Sequence, residues 1–335
     1  MSNLKKILID KKNCKSIWFM RQAGRYLPEF RKIRANNQNF IELCLNSQLS
    51  SEITLQPIER FNIDSAIIFS DILMVPFALG QKVEFEKNKG PILSNFNLNL
   101  FLDNDKISFS QKLHPVYKAI EITRKKLDKK KSLISFVGAP WTLLIYMLGA
   151  KINKSGIDYD KIKSNEFEVN VILDKLNEYL CVHIENQINA GADVVQIFDS
   201  WAGLIPINDL PNYCYIPNLK IVEFCKNNKI PVICFPRGIN ENYKEFNKIV
   251  KPNGLSLDYE INPIWAKKNL GDVILQGGLD PKTLFLPDEE IKKNVIKYLN
   301  VFKEIPYIFN LGHGLLPETE PAKVGRLIKF YREHK

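Results

Sequence analysis

Eight short apolar runs, each ending at a polar or turn-forming residue, limit the folds open to this chain more than any other feature of its sequence. Most of the runs are continuously hydrophobic, which is typical of strands buried on both faces of a parallel sheet. The predicted strands are Ile17–Met20, Ala66–Ser70, Leu133–Val137, Val194–Phe198, Pro231–Phe235, Gly254–Leu257, Val273–Gln276 and Tyr307–Leu311. Helical spacing of apolar residues fills several of the segments between them, including Phe167–Ala190, Glu289–Phe302 and Pro321–Tyr331. Eight buried strands that alternate with helices predict a single (β/α)8 TIM-type barrel over residues 1–335.

The connections after the first three predicted strands are much longer than the later ones, which leaves room for extra helices or for a hairpin near Lys82–Leu93. An open doubly wound sheet is the alternative arrangement. The Gly-x-Gly-x-x-Gly pattern of dinucleotide-binding folds follows none of the predicted strands, which weakens this alternative.

Composition and cysteine spacing are typical of a globular protein in a reducing compartment. Hydrophobic residues make up 45% and charged residues 25% of the chain, and the six cysteines are scattered without a Cys-x-x-Cys pair. We therefore expect free thiols, no metal site and a cytoplasmic location. The first residues lack the features of a signal peptide, and glycine and proline interrupt the apolar segment 134–150, so we expect no membrane span.

The net charge of +10 favours an anionic partner, either a nucleic acid or an acidic small molecule. A nucleic-acid-binding protein is expected to gather its basic residues on one face, with aromatic residues between them. The lysines of this chain are dispersed, so we expect an acidic small molecule and no nucleic acid.

The arginines, in contrast, are concentrated. The chain has nine, and four of them (Arg21, Arg25, Arg31 and Arg34) stand within one short segment. A guanidinium group is planar, always charged and able to hold a carboxylate or phosphate through two parallel hydrogen bonds. A dense group of arginines in a lysine-rich chain therefore indicates an anion-binding site, and a solvated basic helix face is the alternative interpretation.

Polar residues follow the predicted strands at the points where they end. In barrels of this type the functional face lies at the C-terminal ends of the strands. The candidates in chain order are Arg21, Arg25, Asp71, Tyr146, Asp199, Ser200, Arg237, Asp258 and His313. Several also have a structural interpretation, since Asp71 could pair with an arginine, His313 or Tyr146 could belong to the core, and Ser200 could cap a helix. The set contains no metal triad and no nucleophile elbow.

Five motifs in this order resemble one known family. They are Met20–Arg31, Phe69–Leu73, Gly138–Leu143 with Tyr146, Phe198–Gly203 and Asn310–Gly314. Together they resemble the uroporphyrinogen decarboxylase family of haem biosynthesis over essentially the whole chain. Two positions depart from the pattern, because Asp199 stands where many members carry glutamate and Trp201 lies at a variable position. A methyltransferase of the same barrel superfamily is the nearest alternative, but it would need a zinc site of Cys and His, and His313 has no cysteine close by in the sequence.

The resemblance implies a cofactor-free enzyme, usually a homodimer, that removes four CO2 from the acetate side chains of uroporphyrinogen III to give coproporphyrinogen III. It implies catalytic roles for Asp71 and Arg21, with pyrrole protonation and electrostatic stabilisation of the resulting cation by Asp71. The substrate-binding residues that it implies are Arg21, Gln22, Ala23, Gly24, Arg25, Asp71, Tyr146, Ser200 and His313. Arg31 is expected to be structural. The eight carboxylates of this substrate agree with the arginine-rich segment.

Overall fold

Eight parallel strands form the centre of the computed structural model, which describes residues 2–86, 90–150 and 156–335. Two further strands, β3 and β4, form a separate pair outside this sheet. In chain order the described strands are β1 (Lys15–Ile17), β2 (Ser65–Ile67), β3 (Val83–Glu86), β4 (Gly90–Leu93), β5 (Ser132–Gly138), β6 (Val194–Asp199), β7 (Val232–Pro236), β8 (Gly254–Leu257), β9 (Ile274–Gly277) and β10 (Tyr307–Phe309). All except β3 and β4 pair in parallel in the order β1-β10-β9-β8-β7-β6-β5-β2.

The two ends of this sheet meet through Asp64, the residue before β2. The amide of Asp64 donates to the carbonyl of Ile17 over 3.2 Å, and the amide of Ile17 donates to the Asp64 carboxylate over 2.9 Å. The sheet therefore curls into a nearly closed barrel. The predicted (β/α)8 fold is confirmed, and the open doubly wound sheet is wrong.

Helices follow the strands and surround the barrel. They are α1 (Asn3–Asp10), α2 (Pro28–Asn36), α3 (Phe40–Leu45), α4 (Ser47–Phe61), α5 (Met74–Ala78), α6 (Leu98–Leu102), α7 (Lys106–Lys126), α8 (Pro140–Met147), α9 (Tyr159–Lys163), α10 (Glu166–Asn189), α11 (Ile216–Asn227), α12 (Tyr243–Val250), α13 (Pro263–Asn269), α14 (Asp288–Val301) and α15 (Pro321–His334). The three helices expected from spacing correspond to α10, α14 and α15. Proline occupies the first turn of α15, where its missing N–H leaves no hydrogen bond unmade. None of the described helices is long and apolar enough to cross a membrane.

The long early connections contain extra helices and, after β2, the predicted hairpin. Strands β3 and β4 pair antiparallel, with Val83 opposite Leu93. Residues 87–89, which fall within the predicted hairpin, lie outside the described residues.

Several strands end earlier than their apolar runs predict. Strand β1 ends at Ile17 rather than Met20, β2 at Ile67 rather than Ser70, and β10 at Phe309 rather than Leu311. The apolar residues beyond these ends are buried all the same, as Trp18 and Met20 are. The amide of Trp18 still donates to the carbonyl of Phe309 over 3.3 Å, so burial and backbone pairing both extend past the end of β1.

Inside the barrel, a layer of polar side chains is fully buried and hydrogen-bonded. The indole N–H of Trp18 donates to Gln276 over 2.9 Å, and Gln276 donates to Gln196 over 2.9 Å and to Ser256 over 2.5 Å. Buried polar groups are tolerated when they are paired in this way. This layer gives the barrel a fixed floor beneath the C-terminal ends of the strands.

Helix α1 covers the opposite, N-terminal end of the barrel. The amide of Leu4 donates to the hydroxyl of Ser132 at the start of β5 over 3.1 Å. Leu8 packs on Gly254 at the start of β8, where a Cβ would lie 2.9 Å from Cδ2 of Leu8. Access to the barrel is therefore from the C-terminal face.

Candidate active site

The predicted site residues follow the C-terminal ends of parallel strands and therefore share one face of the barrel. Arg21 follows β1, Asp71 follows β2, Tyr146 lies in α8 after β5, Ser200 follows β6 and His313 follows β10. Electrostatic interactions within this group show which of them lie close together.

Arg21 stands at the centre of the group. Its guanidinium interacts with the charges of Asp71 and Arg25 and with Tyr146. Burial lowers the pKa of Arg21; Asp71 and Tyr146 oppose this change and Arg25 adds to it. The side chain keeps accessible surface although protein surrounds most of it, as expected for the wall of a deep cleft. The backbone of Arg21 has a φ of 60°, a left-handed conformation that costs a non-glycine residue roughly 1–3 kcal/mol and is found at functional sites.

Asp71 is half-buried beside this arginine. One carboxylate oxygen accepts a hydrogen bond of 2.9 Å from the amide of Leu73, which fixes the rotamer. Burial raises the pKa of Asp71 to about 6, while the Leu73 hydrogen bond and Arg21 pull it down. The carboxylate is therefore mostly ionised at neutral pH but is easily protonated in mild acid.

Tyr146 faces the same cleft, with its ring edge-on to Trp201 at a centroid distance of 6.0 Å. Burial raises the pKa of Tyr146, and the Asp71 charge raises it further. A hydrogen bond with the Trp201 side chain and the charge of Arg21 lower this pKa in part. The phenol consequently stays protonated and can donate a hydrogen bond at any physiological pH.

The loop that carries Ser200 is held by a buried carboxylate. Asp199, at the end of β6, accepts from the Thr142 hydroxyl over 2.7 Å and from Asn218 over 3.1 Å. The Thr142 hydroxyl in turn accepts from the amide of Trp201 over 3.2 Å. Ser200 is half-buried between these two fixed neighbours. Asp199 thus supports the site from below.

His313 is half-buried on the next loop round the barrel from Arg21. Its Nδ1 lies 3.3 Å from the carbonyl oxygen of Gly314. Burial lowers the pKa of His313 to about 4, and the positive charges of Arg21 and Arg237 contribute to this shift. The imidazole is therefore neutral at pH 7, able to accept or donate a hydrogen bond but not to supply a proton as imidazolium.

Other residues of the arginine-rich segment hold the loop together. The side-chain amide of Gln22 accepts from Phe19 over 3.0 Å and donates to the carbonyl of Ser65 over 2.9 Å. Arg31 donates to the carbonyl oxygens of Arg25 and Tyr26, each over 2.9 Å, which is the structural role expected of it. The backbone of Gln22 is hydrogen-bonded as well, since its amide donates to the carbonyl of Phe19 over 3.0 Å and its carbonyl accepts from the Tyr26 hydroxyl over 2.9 Å.

The remaining residues of this segment are partly or fully exposed. Ala23 and Gly24 are half-buried and Arg25 is exposed. The Arg34 guanidinium lies over the ring of Phe40, 5.7 Å from its centroid, and donates to the carbonyl of Asn37. Contacts of Gln22, Ala23, Gly24 and Arg25 with a substrate stay predictions.

Arg237, the strand-end candidate after β7, is not among the substrate-binding residues that the resemblance implies. Its charge lowers the pKa of both Arg21 and His313, so it lies in the same cleft. The available signal was an arginine at a strand end in a lysine-rich chain, followed by Gly238. Asp258, another strand-end candidate, instead accepts from the amide of Gly238 over 2.8 Å and from the Tyr243 hydroxyl over 3.1 Å, and so fastens the Arg237 loop.

Within the described residues, no group of three or more His, Cys, Asp or Glu side chains is arranged to hold a metal ion. The cleft instead combines three arginines with a carboxylate, a phenol and a neutral imidazole. Such a set can bind several carboxylates and stabilise a cation that develops next to Asp71.

Solved structures resemble this fold. A methyltransferase from Methanosarcina mazei superimposes with a TM-score of 0.73 at 16% identity, covering 98% of this chain and 97% of its own. A B12-independent methionine synthase from Shewanella sp. W3-18-1 has a TM-score of 0.54 at 12% identity, covering 87% of this chain and 88% of its own. At these identities the likeness shows the barrel fold and nothing of the chemistry.

Sequence relatives are much more similar. Uroporphyrinogen decarboxylase of Orientia tsutsugamushi (strain Ikeda) is 42% identical over 329 residues, covering 96% of this chain and 95% of the relative. Uroporphyrinogen decarboxylase of Rickettsia africae is 41% identical over 321 residues, covering 94% and 92%. The family profile "Uroporphyrinogen decarboxylase (URO-D)" matches residues 11–334. The resemblance carried by the five motifs is confirmed, and the chain belongs to the uroporphyrinogen decarboxylase family.

Proposed function

We propose that this chain removes CO2 from the four acetate side chains of uroporphyrinogen III and releases coproporphyrinogen III. The observation that carries the proposal is the placement of an ionised carboxylate, Asp71, beside the guanidinium of Arg21 at the open end of the barrel. Curated relatives that bear the name of this activity match nearly the whole chain.

The substrate suits this cleft in charge and in hydrogen bonding. Its eight carboxylates require cations, which Arg21, Arg25 and Arg237 supply. Its four pyrrole N–H groups point toward the centre of the macrocycle and require an acceptor, which the Asp71 carboxylate provides. Tyr146 and His313 remain as neutral hydrogen-bonding groups for side chains of the macrocycle.

Each decarboxylation needs a place for the electron pair of the broken C–C bond. Protonation of the ring α-carbon next to the carbon that bears the acetate arm creates an iminium-like cation. The C–C bond electrons then flow into the ring as CO2 leaves, giving an exocyclic alkene. Protonation of the alkene CH2 carbon gives the methyl group, and loss of the first proton from the ring carbon restores the pyrrole. The net change replaces one carboxylate by one proton, so no redox partner is consumed.

Asp71 accelerates this sequence because its negative charge lies next to the cation before that cation forms. A preorganised charge of this kind contributes about 10²–10³ in rate. Binding that strengthens only in the transition state raises kcat rather than lowering KM.

Arg21 is the residue that we assign to the departing carboxylate and to the delivery of the proton, directly or through a water that it holds. Burial lowers its pKa, whereas Tyr146 has a raised pKa and His313 is already neutral at pH 7. Burial thus shifts the pKa of Arg21 in the direction that proton delivery requires.

We further propose that the chain acts as a homodimer. Large apolar side chains stand exposed on the connections after β8 and β9, at the same face as the cleft: Tyr259 (36%), Ile264 (62%), Phe285 (49%) and Leu286 (40%). Exposed apolar groups on adjacent loops favour association, and a second copy of this chain would cover them. Sedimentation of the wild type and of a Phe285→Ser, Leu286→Ser variant tests this, since the variant should shift toward monomer. Wild-type protein that sediments as a monomer would refute it.

A cytoplasmic location completes the proposal. All six cysteines are free, and four of them are buried. Thiols that persist unpaired are typical of a reducing compartment.

The activity is tested by anaerobic incubation with uroporphyrinogen III, followed by oxidation and chromatography of the porphyrins by carboxylate number. A ladder from eight carboxylates to four, formed without added metal or cofactor, is the expected result. Folded protein that leaves only eight-carboxylate material would refute the proposed function.

A further inference from the structure

Arg237 lies halfway round the barrel from the arginine-rich segment. In the ring order β1-β10-β9-β8-β7-β6-β5-β2, strand β7 stands opposite β1, whose following loop carries Arg21 and Arg25. The charge of Arg237 nevertheless reaches both Arg21 and His313. Its side chain therefore points inward over the mouth of the barrel rather than outward into solvent.

The backbone of Arg237 is fixed from both sides. Its amide donates to the carbonyl of Asp199 over 3.1 Å, and its carbonyl accepts from the amide of Gly203 over 2.9 Å. Gly238 follows with a φ of +82°, and a Cβ on Gly203 would lie 2.6 Å from the carbonyl oxygen of Gly238. Two loops touch here with no room for a side chain between them. This tight packing holds the backbone of Arg237 in one position.

The guanidinium of Arg237 has no acidic partner in the part of the chain that the structure describes. The ion-paired arginines there are Arg60, Arg124 and Arg326. The charged groups that interact with Arg237 instead include another cation, Arg21. A half-buried cation facing another cation is unfavourable until an anion reaches it.

We propose that Arg237 binds a carboxylate of the tetrapyrrole from the side of the barrel opposite Arg21 and Arg25. A macrocycle with carboxylates on its whole circumference needs cations on opposite walls of the cleft. Arg237 is placed to supply the cation on the wall opposite Arg21 and Arg25. The residue thereby fixes the rotational position of the macrocycle over Asp71. This inference rests on the proposed function and adds a substrate-binding residue to it.

The test compares wild type with Arg237→Gln, Arg237→Lys and Lys244→Gln in the anaerobic decarboxylation assay with uroporphyrinogen III. Lys244 is exposed on α12, the helix after the same loop, and its substitution controls for the loss of one positive charge. We expect Arg237→Gln to raise KM about tenfold or more with kcat changed less than about threefold. Arg237→Lys should recover part of the affinity but not all, because an ammonium lacks the planar fork. Lys244→Gln should match the wild type.

The four successive steps give a second readout. Loss of affinity at every step would mean that Arg237 holds a propionate, which persists throughout, whereas loss confined to the early steps would mean an acetate. Either pattern supports the proposal. An Arg237→Gln variant with wild-type melting temperature, KM and porphyrin ladder would overturn it. Failure of the wild type to produce any ladder would instead count against the proposed function, so the two failures are distinguishable.

Discussion

Gly314 lies directly against the side chain of Arg21. A Cβ built on Gly314 would stand 2.6 Å from Cγ and 2.9 Å from Nε of this arginine, distances that real atoms do not tolerate. The glycine after His313 therefore forms the surface on which the Arg21 side chain rests. The Arg21 backbone is held as well, since a Cβ on Gly24 would meet its carbonyl oxygen at 3.0 Å.

Gly314→Ala should displace the Arg21 guanidinium and lower kcat/KM by about 10²-fold, because a misplacement of about 1 Å has this effect on a reacting group. Thermal unfolding should change little, since the flexible arginine can move aside. Gly325→Ala in α15 is the matched control: its Cβ would meet only the Phe61 ring at 3.8 Å, and alanine favours the helix. Equal activity of the two variants would contradict this role of Gly314.

Asp71→Asn should lower kcat by about 10²–10³ while KM changes much less. The asparagine oxygen can still accept from the Leu73 amide, so the loop keeps its shape and the negative charge alone is lost. Single-turnover measurements with uroporphyrinogen III would separate the chemical step from binding. Near-normal turnover would refute the electrostatic role.

The same variant should unfold at an equal or higher temperature than the wild type at pH 7. Burial raises the pKa of Asp71 from 3.8 to about 6, so the folded state binds this proton more tightly than the unfolded state does. The free energy of unfolding therefore falls as pH rises from about 4 to about 6, and the charged group is a cost above that range. Calorimetry of the wild type and of Asp71→Asn at pH 5 and pH 7 measures this. A variant that loses as much stability between pH 5 and pH 7 as the wild type does would contradict it.

The acidic limb of kcat/KM should follow the ionisation of Asp71, with activity falling as pH drops below about 6. His313 does not account for this limb, because burial and the neighbouring arginines lower its pKa to about 4. His313→Asn should thus retain the limb near pH 6 even if its activity is reduced. Disappearance of the limb in this variant would assign it to the histidine.

Thr142→Val should destabilise the loop that carries Ser200. The hydroxyl joins the buried Asp199 carboxylate to the amide of Trp201, and its removal takes one hydrogen bond from each of them at a cost of about 1–3 kcal/mol. Because Trp201 packs against Tyr146, KM should rise as well. Thr142→Ser keeps the hydroxyl and should restore most of both losses in denaturant unfolding and in the kinetic assay. Equal stability and equal KM of the valine and serine variants would rule out this role of the Thr142 hydroxyl.

The barrel was predictable because strands buried on both faces appear as continuous apolar runs. The ends of the strands were less predictable, since Trp18 and Met20 are apolar and buried although they lie beyond the end of β1. The paired Gln196 and Gln276 inside the barrel interrupt apolar runs for a reason that only their mutual hydrogen bond explains.

The site was predictable where its residues follow strand ends within distinctive motifs. Sequence proximity placed Gln22 with Arg21, but its amide is used to fasten the loop to Ser65. Arg237 was a candidate because it follows a strand end, but its position opposite Arg21 depends on the ring order that places β7 opposite β1.

The resting place of Arg21 on Gly314 joins the loops after β1 and β10, the first and last strands of the barrel along the chain. During synthesis the arginine therefore emerges well before the glycine that supports it, which follows β10. A growing chain can assemble β5 through β9 with their helices and still lack a finished cleft. The cleft is therefore expected to become competent only after β10 and Gly314 have been synthesised, and fragments that end before β10 should fold in part yet remain inactive.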